Sequence, residues 1–141
     1  MDLDSYYTHI LQVGKLRTEQ HARRWSDGVL RTFGTALNRK TKRDLAKALP
    51  DDLARSLKDV FWLLHFRDPN LSSEEFLQRA ARRSGNSNGE FAVYPTMAVF
   101  SGVRMIIDQE LQSQVANSLS PQVRDLWEQA GQFSFLTDEA T

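Results

Sequence analysis

Apolar residues along this chain recur at helical spacing, and the pattern of the first half returns in the second half 70 residues later without a gap. Tyr6, Tyr7, Ile10 and Leu11 overlay Phe76, Leu77, Ala80 and Ala81. Val29, Leu30, Phe33, Ala36 and Leu37 overlay Val99, Phe100, Val103, Ile106 and Ile107. Leu45, Leu49, Leu53 and Leu57 overlay Val115, Leu119, Val123 and Trp127. The breakers return too, Gly14 against Gly85 and Pro50 against Pro121, each one residue out of register. This is the signature of a chain built from two similar units whose helix ends, and not only core positions, correspond.

Start and stop signals divide each half into four helices. Asp2 is placed to cap a first helix over Leu3 to Val13, which Gly14 ends. Thr18 caps a long second helix with a buried stripe of Ala22, Trp25, Val29, Phe33 and Ala36. Thr41 opens a short third helix, and Pro50 stops it and begins the fourth, where Asp51 and Asp52 suit the positive dipole end. In the second half, Ser72 and Glu75 form a capping box for helix five, and Gly85 ends it. Helix six is the most apolar segment, running through Met97, Val99, Phe100, Val103, Met105, Ile106 and Ile107. Its small residues Ala98 and Gly102 allow a neighbouring helix to approach closely. Pro95 overlays Trp25, so this helix either begins near Tyr94 or kinks there. A seventh helix carries Leu111 and Val115, and an eighth opens at Ser120 and Pro121 and ends at Gly131.

No alternating run of strand length is present, so the expected fold is all-α. It is a single compact domain over 1–141, with about eight helices in two four-helix halves, 1–70 and 71–131, and a C-terminal tail over 132–141. A unit of about 70 residues is marginal alone, and the two halves are expected to pack face to face.

Several of these elements together resemble a known family. The string Ala22-Arg23-Arg24-Trp25 precedes Val29-Leu30, Leu37-Asn38-Arg39, Asp44-Leu45-Ala46 and Ala48-Leu49-Pro50-Asp51-Asp52-Leu53; Glu75-Phe76-Leu77 follows later. These resemble the bacterial domain of unknown function 2267 family over about Asp2 to Ala130. The resemblance implies an all-helical fold of two similar halves and no established activity, and it brings no catalytic residue. The second half departs most, with its proline one residue late in Leu119-Ser120-Pro121.

Composition narrows the chemistry. Cysteine is absent, which removes disulfides, thiol nucleophiles and cysteine-based zinc sites. The start carries Asp2 and Asp4 where a secretory signal carries basic residues, and no apolar run is long enough to span a bilayer; the expectation is a cytoplasmic protein without membrane insertion. His9, His21 and His65 have no ligand-forming spacing, and the pairs Asp51/Asp52 and Glu74/Glu75 diverge by about 100° on a helix. No glycine-rich phosphate loop or nucleophile elbow occurs. No catalytic, cofactor-binding or metal-binding residue is therefore assigned, and no cofactor.

Two features remain as candidate sites. Trp62, Leu63 and Phe66 leave the stripe of helix four, and Phe133, Phe135 and Leu136 make the tail too apolar to float; together they form a candidate protein-interaction patch. Arg39, Lys40, Lys42 and Arg43 form a candidate polyanion patch at the turn between helices two and three, with Arg17, Arg24 and Arg31 spaced every seven residues nearby. A cationic cluster at a helix C-terminus also answers the carbonyls there, and no aromatic is interleaved for base stacking. Net charge is zero but divided: residues 1–67 carry 13 basic and 8 acidic side chains (+5), and residues 68–141 carry 5 and 10 (−5). The first reading is a non-catalytic module acting by contact with an unknown protein partner or as a homodimer. The alternative is nucleic-acid or polyanion binding through the basic stretch 39–47. An enzyme with a site between the halves comes third.

Overall fold

The computed structural model describes residues 1–59, 68–86 and 88–140, with the side chains of 133–140 excepted. The described residues form eight α-helices and no strand. These are α1 (Leu3–Val13), α2 (Glu19–Ala36), α3 (Arg39–Ala48), α4 (Asp51–Lys58), α5 (Ser73–Arg83), α6 (Val93–Ile106), α7 (Gln109–Ser118) and α8 (Pro121–Ala140), with one 3-10 turn over Gly89–Ala92 before α6.

Short-range chemistry sets the starts. The Asp2 carboxylate accepts from the Ser5 amide at 2.8 Å, the Thr18 hydroxyl from His21 at 3.1 Å, and the Ser72 hydroxyl from Glu75 at 3.1 Å. Each satisfies an amide that the first helical turn leaves without a carbonyl. The bounds of α5, of the 3-10 turn with α6, and of α7 fall 70 residues after those of α1, α2 and α3, and α8 starts 70 after α4. The caps correspond as well, Asp2 with Ser72, Thr18 with Asn88, and Asn38 with Asp108, with different residues making the same kind of bond.

The helix ends refine the register of the breakers. At the end of α1, the Leu16 amide donates to Leu11 O at 2.9 Å and the Lys15 amide to Gln12 O, which requires a left-handed residue at 15. At the end of α5, Asn86 donates to Ala81 O at 2.8 Å and Gly85 to Arg82 O, with Gly85 at φ 87. The counterpart of Gly85 is thus Lys15, at φ 57, and not Gly14.

Packing interlocks the halves. α1 lies on α6 and α5 lies on α2, while α2 packs on α4 and α6 on α8; α2 meets α6 and α3 meets α7. Exchanging the halves maps these pairings onto one another. The α1–α6 approach uses Gly102, where an added Cβ would stand 2.9 Å from the Tyr6 ring. Phe100 sits at the centre, with ring centroids 4.9 Å from Phe33, 5.5 Å from Trp127 and 5.6 Å from Phe76. α6 is buried from Pro95 through Val103, as its composition demands, although Met105 is exposed. The 3-10 turn absorbs the break, so Pro95 falls in the first turn of α6, where a missing amide costs nothing.

Two of these expectations are corrected. Asn38, not Thr41, caps α3: its side chain accepts from the Thr41 amide at 2.8 Å, while its own amide donates to Ser118 Oγ across the molecule. α8 does not end at Gly131 but continues through it to Ala140, so the stretch 132–140 is helical and not an extended tail. Trp62, Leu63, His65 and Phe66 fall in 60–67, outside the described residues.

One buried group stands out. The Tyr6 phenol, pushed up in pKa by its burial, shares a 2.7 Å hydrogen bond with Ser26 Oγ. The counterparts of this pair are Phe76 and Thr96, and Thr96 Oγ1 is buried without a hydrogen-bond partner. Phe76 has no hydroxyl to offer it. An orphaned hydroxyl costs about 1–3 kcal/mol of desolvation. Thr96→Val is therefore expected to raise stability by about 1 kcal/mol, and Phe76→Tyr to do so only by bonding Thr96. Urea midpoints of the two variants check this; a destabilised Thr96→Val means the hydroxyl already has a partner in solution.

Candidate functional site

The four cations of the candidate polyanion patch lie on the first two turns of α3, directly after the C-terminus of α2, and the Lys42 side chain reaches Gly34 in the last turn of α2. Cations there work against the dipole of α3 and with that of α2. The patch is also not uniform. Lys40 is paired with Asp44 at 2.9 Å. The Asp44 carboxyl lies below the usual carboxylate range because Gln114 of α7 donates to it at 2.9 Å and Lys40 adds a second bond. Lys42 is partly buried, and burial together with the neighbouring Arg39 lowers its pKa. Arg39 and Arg43 are exposed. The seven-residue series breaks up as well, since Arg31 is held by Asp27 at 3.1 Å and Asp59 at 2.8 Å.

The candidate protein-interaction patch falls on residues whose side chains lie outside the described ones. Trp62, Leu63 and Phe66 lie outside them, and Phe133, Phe135 and Leu136 are described only as positions on the last turns of α8.

The described histidines are tied to neighbours. His9 Nε2 lies 2.7 Å from Ser101 Oγ. Ser101 Oγ also lies 3.1 Å from Ala98 O, to which its hydroxyl can donate. His21 Nε2 accepts from the Trp25 indole at 3.1 Å. Among the described residues no group of three or more His, Asp or Glu side chains is placed to hold a metal ion, and no helix is long and apolar enough to cross a membrane.

The structure instead assembles a cleft that sequence reasoning missed. Its floor is Leu16, His21, Trp25 and Pro95; its rim is Lys15, Glu90, Phe91 and Tyr94, and its volume is about 500 Å3. The α1–α2 turn supplies one wall, and the 3-10 turn with the first turn of α6 supplies the other. Phe91 is 68% exposed and Tyr94 45%, a large apolar area to leave in water. The Lys15 ammonium stands 4.2 Å from the Tyr94 ring centroid. That contact offsets part of the cost, about 1–2 kcal/mol, of holding a lysine in the left-handed region, where the other half uses glycine. Beyond His21 the surface continues into a hollow lined by Arg17, Thr18, Gln20 and Arg24. The combined surface is an aromatic cleft with a basic edge: Lys15, Arg17 and Arg24 against Glu90.

Two sequence signals pointed here. Phe91 and Tyr94 follow closely on Gly89 and belong to no buried stripe, and lysine stands at position 15, 70 residues before Gly85. Neither reveals that the two segments meet.

No curated protein matches the chain. A family model matches residues 4–126, a stretch that contains the cleft and all of α3. On that match the chain belongs to the family described as uncharacterized conserved protein, DUF2267.

Proposed function

We propose that this protein is a non-catalytic recognition module that acts by protein–protein contact, receiving a short segment of a partner in the cleft between the α1–α2 turn and the start of α6. The observation that carries this reading is the pair of exposed aromatic rings, Phe91 and Tyr94, over an apolar floor, next to a lysine whose backbone is held in an unfavourable conformation. Exposed aromatics beside a preformed hollow are the common anchors of peptide recognition, and local strain concentrates at such places. Selection from a random peptide library displayed on phage tests it. Peptides enriched on the wild-type chain are expected to lose binding to a Phe91→Ser, Tyr94→Ser variant whose far-UV circular dichroism and melting are unaltered. Enriched peptides indifferent to both changes, or no enrichment at all, overturn the reading.

A second reading, polyanion binding through 39–47, is favoured by the grouping of Arg39, Lys40, Lys42 and Arg43 at the N-terminal end of α3, where helix amides and cations both attract an anion. Phosphate contacts release counterions, so retention on heparin should fall steeply with salt. It should disappear when the four residues are changed to serine. Equal retention of that variant and the wild type excludes this reading.

A further inference from the structure

We propose that the cleft takes the C-terminal stretch 132–141 of a second copy of this chain, so that two copies pair reciprocally. This rests on the cleft being a docking site and names its occupant.

Charge complementarity is the first ground. The basic edge of the cleft, Lys15, Arg17 and Arg24, calls for an acidic segment, and its exposed rings call for an apolar anchor beside the acids. The stretch Gln132-Phe133-Ser134-Phe135-Leu136-Thr137-Asp138-Glu139 has that chemistry, and residues 125–141 include no lysine or arginine. The backbone is helical to Ala140, so positions 135, 138 and 139 share one side of α8 at i, i+3 and i+4 spacing: one aromatic position followed a turn later by two acidic ones.

Placement is the second ground. Gly131, where this stretch begins, lies against Arg104 in the last turn of α6. The cleft lies at the first turn of the same helix, about 15 Å away at 1.5 Å per residue. Position 135 is only about 6 Å further along α8, short of that distance. A second copy has no such constraint. The division of charge, +5 over residues 1–67 and −5 over 68–141, favours the antiparallel meeting of two copies, and a reciprocal exchange of tails is a closed twofold arrangement.

A charge-swap experiment on the full chain tests this. Light scattering of the wild type should show a concentration-dependent mass rising from 16.2 kDa toward twice that value, and less so at high salt. Two variants, Arg17→Glu with Arg24→Glu and Asp138→Lys with Glu139→Lys, should each remain at 16.2 kDa with the far-UV circular dichroism of the wild type. Their equimolar mixture should recover the dimer, because the reversed edge of one variant meets the reversed tail of the other while the unchanged edge meets the unchanged tail. A wild type that stays monomeric, or association that survives either reversal, overturns the proposal. So does a mixture of folded variants that fails to associate. Library peptides that still depend on Phe91 and Tyr94 while the wild type stays monomeric would reject this occupant alone and leave the recognition reading intact.

Discussion

Leu53→Asp and Val123→Asp are each expected to unfold the entire chain in a single transition. Leu53 is 1% exposed and Val123 is fully buried, at corresponding places on α4 and α8. Either substitution forces a carboxylate into the core or opens the packing around it. The penalty of several kcal/mol is comparable with the whole stability of a domain, about 5–15 kcal/mol. The single transition follows from the interlock. α1 covers α6 and α5 covers α2, so neither half keeps a complete core when the other is lost. Thermal melts followed by far-UV and near-UV circular dichroism check this, because the two signals should be lost together. Two separated transitions, with about half the helical signal surviving the first, would show that the halves fold independently.

The second large effect is expected at Gly34, where helix propensity and packing have opposite signs. Gly34 lies inside α2, and alanine there improves propensity by about 1 kcal/mol. A Cβ at this position would stand 2.1 Å from the Leu57 carbonyl oxygen of α4, a backbone atom that no change of rotamer can move. The two helices must separate, and the loss of packing beneath them exceeds the propensity gain. Gly34→Ala should therefore destabilise by several kcal/mol. Gly131 supplies the contrast. It lies within α8, and its Cβ would approach the Arg104 guanidinium at 3.0 Å, the far end of a flexible side chain that can give way. Gly131→Ala should stabilise by up to about 1 kcal/mol. Denaturant midpoints of both variants measure the difference. Gains at both positions would mean that α2 and α4 are less closely packed in solution than the structure has them.

What was readable in the sequence is what short-range chemistry controls. A capping oxygen acts on an amide two or three residues ahead, so Asp2, Thr18 and Ser72 could be identified as helix starts. Apolar periodicity depends only on spacing along one helix, so the stripes through Trp25, Val29 and Phe33 and the near-complete burial of α6 were visible, as was the all-helical class. Contacts between distant segments decided the rest. Asn38 and Thr41 were both able to cap α3, and the Ser118 hydroxyl, 80 positions away in sequence, holds Asn38 in place. Gly131 reads locally as a stop, yet its propensity cost of about 1 kcal/mol is small beside the packing of α8 on α6. The cations at 39–43 read as one patch until Asp44, Gln114 and burial gave each a different setting. The cleft was hidden most completely. Its walls, Lys15 and Leu16 on one side and Phe91 and Tyr94 on the other, are some 75 positions apart, and they meet because α1 packs on α6. Periodicity reports which residues share a face of one helix, but a concave surface between helices depends on how they are brought together, and that is a property of the tertiary structure alone.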